Sequence, residues 1–98
     1  MKVILGEAAK IELVETIDWY EIQQNGLGKR FAQSLDITKK RISVYPEISS
    51  EIAHGIRRAI IKGFPYGLIY SFHDETIEII AVAHLHREPM YWENRSQP

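Results

Sequence analysis

Near residue 50 the apolar pattern of this chain changes its period, and that change restricts the folds open to it. Upstream, Ala9, Leu13, Ile17 and Tyr20 form one stripe at helical spacing, and Phe31, Leu35, Thr38, Ile42 and Tyr45 form a second. Downstream, Ile56, Arg58, Ile60 and Lys62 alternate with Arg57, Ala59 and Ile61, which is the period of a strand. A helical first half followed by an extended second half defines an α+β chain, with a helical layer packed on one face of a sheet.

Punctuation residues set the boundaries. Lys2 to Leu5 suits an opening strand, and residues Glu7 to Gln24 read as a helix. Asn25-Gly26-Leu27-Gly28 is a stop signal in which either glycine can take the left-handed position. A second helix runs from Lys29 to Tyr45 and ends before Pro46, because the residue preceding a proline disfavours helical backbone. The linker is short enough to make the two helices an antiparallel hairpin. Pro46 to Ala53 reads as a polar loop. Three strands follow, Ile56–Lys62, Leu68–Phe72 and Thr76–Leu85, joined by the turns Gly63-Phe64-Pro65-Tyr66-Gly67 and His73-Asp74-Glu75, as an antiparallel meander. In the last strand Ile77, Ile79, Ala81, Ala83 and Leu85 are expected on one face, and Ile80, Val82, His84 and His86 on the other. With both faces apolar at its centre, it is expected inside the sheet. The expected order is β-α-α-β-β-β with a short C-terminal tail, in one domain over 1–98.

Composition narrows the function classes. The 98 residues carry a net charge of −1, which opposes an avid, nonspecific nucleic-acid binder. The chain has no cysteine, so disulfide frameworks and thiolate metal sites are excluded. Its longest apolar run, Ile79 to Ala83, falls far short of the roughly 20 residues of a membrane span. Met1 to Leu5 is too short for a signal sequence, since Gly6-Glu7 ends it, and a cytoplasmic protein is expected.

The most informative chemistry lies at the end of the last strand, where His84, His86, Arg87, Pro89, Tyr91, Trp92 and Arg95 cluster. Cations, imidazoles and rings are the groups that bind anionic or planar partners. His84 and His86 share a side of the strand and can chelate a metal with His54 or His73. Two ligands at the right spacing do not complete a zinc site, however, and neither metal nor cofactor is expected. Tyr91 and Trp92 are adjacent, so one is expected buried and the other exposed. Arg57 and Arg58 face opposite sides of their strand, so at most one can serve a given site. The other is free to pair with a helix carboxylate such as Glu15 or Asp18. Trp19 and Ile22 lie off the first helical stripe and are candidates for a partner surface.

The order of elements, together with Gly26-Leu27-Gly28 before Phe31, Ile56-Arg57-Arg58, Phe64-Pro65-Tyr66 with Ile69-Tyr70, and Ala81-Val82 leading to His84-x-His86-Arg87-x-Pro89-x-Tyr91-Trp92, resembles the RelE/ParE toxin superfamily, and within it the ParE-like, plasmid-stabilisation toxins. The resemblance covers nearly the whole chain. It implies a toxin neutralised by a cognate antitoxin, in a toxin–antitoxin hetero-oligomer. Trp19 and Ile22 are then the antitoxin-binding candidates. Arg57, Arg58, Lys62, Arg87, Tyr91, Trp92 and Arg95 are the target-binding candidates. ParE-like members act against DNA gyrase, whereas RelE-like members cut messenger RNA on the ribosome. Under the second reading His84 or His86 is the base, Tyr91 an acid and Arg57, Arg58, Lys62 and Arg87 the cations. The net charge favours gyrase, because an enzyme that docks on RNA gains from long-range attraction. A third reading is an inactive homologue that retains only antitoxin binding.

Overall fold

The computed structural model describes residues 1–95. Strand β1 (Lys2–Leu5) leads into helix α1 (Glu7–Gln23) and helix α2 (Leu27–Val44); β2 (Glu51–Ala53), β3 (Ile56–Ile60), β4 (Tyr66–His73) and β5 (Thr76–His84) follow, and then a 3-10 turn at Glu93–Arg95. The five strands form one sheet in the order β1-β5-β4-β3-β2. β1 runs parallel to β5, and the other pairs are antiparallel. The β-α-α-β-β-β layout is the one expected, with one addition: the loop from Pro46 to Ala53 contains β2, a three-residue edge strand. Three residues carry too little periodicity to stand out from a loop.

The helical hairpin covers one face of the sheet. Ala9 and Tyr20 of α1 and Phe31, Leu35 and Ile42 of α2 pack on Ala59, Ile61, Leu68, Tyr70, Ile77, Ile79 and Val82. The second stripe stops at Ile42. Tyr45 lies past the helix end and is 63% exposed. The connection between helices is closed by Glu21, whose carboxylate accepts from the backbone N–H groups of Gly26 at 2.8 Å and Gly28 at 3.0 Å. It thereby satisfies donors that a helix start leaves unpaired and places a negative charge at the positive end of α2. Gly26 takes the left-handed conformation, φ 88°, as the cap of α2, which begins at Leu27, two residues earlier than the pattern suggested. Gly28 serves close approach instead, since a Cβ there would lie 2.5 Å from the Ile17 carbonyl oxygen.

One correction to the last strand matters for the site. Ile69 pairs with Ala81 but Tyr70 with Ile79, so Ile80 is an extra residue and β5 carries a bulge there. A one-residue insertion inverts the alternation beyond it. Val82 therefore joins Ile77 and Ile79 under the helices, while Ile80, Ala81 and Ala83 share the outer face with Ile56, Ile69 and Trp92. The expected grouping of Ala81 and Ala83 with Ile77 and Ile79 fails for this reason. Strict alternation holds only where the two strands keep equal residue counts.

Candidate functional site: the tail, its carboxylate and the outer face

The site follows from a mismatch in strand length. β1 has four residues and β5 nine, and their pairing ends at Leu5 opposite Ile79, where the Gly6 N–H donates to the Ile79 carbonyl. Beyond Ile79 no strand among the described residues pairs with this edge of β5, so its backbone groups need other partners. Side chains supply two of them. Glu12 Oε1 of α1 accepts from the Val82 N–H at 3.0 Å, and Arg95 Nη1 donates to the Ile80 carbonyl at 3.3 Å.

Glu12 also fixes the tail. Its Oε1 accepts from Arg95 Nη1 at 2.8 Å and its Oε2 from the Tyr91 hydroxyl at 2.8 Å. Arg87 Nη1 stands 3.9 Å from Oε2. The carboxylate is only 13% exposed, so it is a largely buried charge held by a guanidinium, a hydroxyl and a backbone amide. The guanidinium of Arg87 lies over the Tyr91 ring, 3.7 Å from its centre, and that of Arg95 lies at 5.0 Å. Burial, then the hydrogen bond to Glu12, push the Tyr91 hydroxyl up to about 12. The bond to Glu12 likewise raises Arg95 above its usual value. Met90, at φ 66°, turns the chain back so that Trp92 packs under the tail on the outer face, 4% exposed.

The predicted residues thus divide. Arg58, Arg87, Tyr91, Trp92 and His84 line one cavity of about 260 Å³ between the tail and the outer face of the sheet. Arg95 stands behind Tyr91 as its support. Arg57 is engaged elsewhere: it donates to the Ser49 carbonyl at 2.6 Å and pairs with Glu51 at 3.6 Å, fastening the loop before β2 rather than reaching Glu15 or Asp18. Lys62 lies at the β3–β4 turn and lines a separate hollow with Arg30 and Phe64. The imidazoles of His84 and His86 stand 5.4 Å apart, and His84 Nδ1 accepts the His86 backbone N–H at 3.0 Å. No group of three metal-ligating side chains occurs among the described residues. Trp19 and Ile22 are 55% and 82% exposed on α1. Trp19 and Arg87 share a hollow with Glu12, which brings the candidate partner face of α1 next to the tail.

Sequence reasoning missed Glu12, the residue that organises the site. A signal existed: Glu12 falls three residues after Ala9 and four before Thr16, both buried, so it sits on the inward stripe of α1. A carboxylate there requires partners from elsewhere in the fold.

A helical hairpin on a five-stranded sheet, with a polar tail folded over the outer face, defines the architecture. The family model for the ParE toxin of type II toxin–antitoxin system, parDE, matches residues 3–89, and the chain belongs to that family. Among solved structures it is similar to the chromosomal ParDE TA system from P. aeruginosa, with TM-score 0.63 and 16% identity over 86% of this chain and 95% of that one. A likeness at that identity speaks for the fold. No match was found among curated proteins. No helix among the described residues is long and apolar enough to cross a membrane.

Proposed function

We propose that this ParE-family chain is a toxin that acts by protein contact on DNA gyrase and is neutralised by a cognate antitoxin in the cytoplasm. The observation that carries the reading is the state of Tyr91. Among the described residues it is the one hydroxyl lining the outer cavity, and it donates to Glu12 with its pKa pushed up to about 12. A general acid works best with a pKa near the operating pH, so a tyrosine held this way is poorly suited to protonate a leaving oxygen. His84 Nδ1 is likewise occupied by a backbone amide. The net charge of −1 supplies no attraction toward a ribosome.

Contact chemistry suits the same groups. Arginine and tyrosine are enriched among the residues that carry binding energy at interfaces, and Arg87 and Tyr91 are stacked at the mouth of a cavity. The exposed Trp19 and Ile22 offer apolar surface to an antitoxin helix. The kinship with ParDE systems supports a partner of that kind for this chain.

The test pairs two assays on purified protein, gyrase supercoiling of plasmid DNA and integrity of a ribosome-bound message. Inhibited gyrase with intact message is expected, and His84→Ala and His86→Ala should weaken inhibition only by lost contact. Codon-phased cleavage with gyrase unaffected would overturn the proposal and give His84, His86 and Tyr91 catalytic roles. A base-dependent enzyme would then lose on the order of 10²–10⁴-fold on removal of the imidazole. In cells, expression of the chain alone should arrest growth and co-expression of the neighbouring small protein should restore it. Normal growth at confirmed soluble expression would overturn the toxin reading, or mark this copy as inactive.

A further inference from the structure

The outer cavity has an apolar base and a cationic rim. Ile69 and Ala83 form its floor, and Trp92 closes one side beneath Pro89. Arg58 and Arg87 stand on the rim, with Glu88 as the one carboxylate among the described lining residues. Arg58 is positioned by a glycine: its stem lies across Gly67, where a Cβ would come within 2.9 Å of Arg58 Cγ. Its neighbour Arg57 pairs with Glu51, Arg87 with Glu12 and Arg95 with Glu12, whereas Arg58 makes no salt bridge among the described residues.

Those features select an occupant. At about 260 Å³ the space falls below the ~300–1,000 Å³ typical of sites that enclose a whole small ligand, and it fits a single side chain better. A nucleotide base stacks on an aromatic ring or an arginine plane, but RNA binding also draws on long-range attraction that a net charge of −1 does not supply. Here one face of Tyr91 is covered by the Arg87 guanidinium, and Trp92 is buried. An apolar side chain alone would leave the Arg58 charge unanswered, and an anion alone would leave the floor unfilled. We propose that this cavity anchors a short segment of the target protein in which a leucine-sized side chain stands next to an aspartate or glutamate, the apolar group on Ile69 and Ala83 and the carboxylate on Arg58. The proposal rests on the protein-contact reading, and its test does not involve gyrase.

The experiment titrates the isotope-labelled full chain with blocked pentapeptides while following the Trp92 indole N–H and the Arg58 Nε–H by NMR. The probes are Gly-Asp-Leu-Asp-Gly, the same peptide with lysines for the aspartates, the same with serine for the leucine, and a five-nucleotide single-stranded RNA. The Asp-Leu-Asp peptide should shift both resonances and bind roughly fivefold more tightly than the lysine peptide, the most a rim charge of about 1 kcal/mol confers, and at least as much more tightly than the serine peptide, which leaves the apolar floor unfilled. Arg58→Gln should erase the preference for aspartate over lysine and leave Trp92 responsive; Arg58→Lys, which keeps the charge, should retain part of it. Equal affinity for all three peptides overturns the proposal. So does a stronger response to the RNA, or no shift with any probe up to about 10 mM, beyond the weakest affinities of interest. Peptide recognition without gyrase inhibition would retain the cavity's role and redirect the search to another protein target.

Discussion

Replacing Glu12 by alanine tests whether one carboxylate holds the tail to the body. The change removes the acceptor for three close donors, the Val82 N–H, the Tyr91 hydroxyl and Arg95 Nη1. Bonds to charged groups are worth about 1.5–3 kcal/mol each, but Tyr91 and Arg95 can recover part of that from water once the tail loosens. Val82 is 2% exposed and cannot do so without opening the edge of the sheet. The expected net loss is about 3 kcal/mol, a large share of the ~5–15 kcal/mol typical of a domain. At roughly 4–8 °C per kcal/mol for a chain of this length, the melting temperature should fall by about 12–24 °C. Glu12→Gln keeps one acceptor oxygen and the volume, and should lose about half as much. Urea unfolding is best followed by fluorescence in a Trp19→Phe background, which leaves Trp92, 4% exposed, as the reporter. If Glu12→Ala stays within about 0.5 kcal/mol of wild type, the range of an unremarkable surface change, the carboxylate is not the anchor and the account of the tail is wrong.

Two further predictions use the same contacts. The unfolded chain releases the Tyr91 proton near 10.0 and the folded one at about 12, so between those values the unfolded state holds fewer protons and stability falls as pH rises. Two pH units give at most about 2.7 kcal/mol, which partial exposure reduces to roughly 1 kcal/mol; Tyr91→Phe should lack this component when wild-type and variant unfolding are compared from pH 9 to 12. The arginines of the tail should separate by role. Arg87, 53% exposed, 3.9 Å from Glu12 and stacked on Tyr91, should be replaceable by alanine within about 1 kcal/mol while toxicity is lost and antitoxin binding persists. Arg95→Ala, which removes a 2.8 Å bond to Glu12 and the contact to the Ile80 carbonyl, should cost about 1.5–3 kcal/mol. A sharp drop in melting temperature for Arg87→Ala would make that residue structural.

What could be read from the sequence was what depends on near neighbours. The stripe through Phe31, Leu35, Thr38 and Ile42 is a property of one helix, and the same residues are buried in the fold. The polar turn at Asp74-Glu75 likewise needs only local backbone, with both residues at positive φ between β4 and β5. The bulge at Ile80 is different in kind. It belongs to a pair of strands, and no alternation within β5 alone distinguishes a strand that keeps its phase from one that gains a residue against its partner. The candidate site depends on that pairing, because the extra residue places Val82 under the helices and Ala83 beneath the tail. Glu12 was hidden for a related reason. Its partners Tyr91 and Arg95 lie 79 and 83 residues away, and the need for a carboxylate arises only once β1 stops at Leu5 and leaves the edge of β5 unpaired. The tail, which carried the plainest functional signal, could be located but not oriented. Arg95, Tyr91 and Arg87 look equivalent as a cluster of cations and rings, and a largely buried carboxylate on the opposite end of the chain decides that Arg95 is held close and Arg87 stays half exposed.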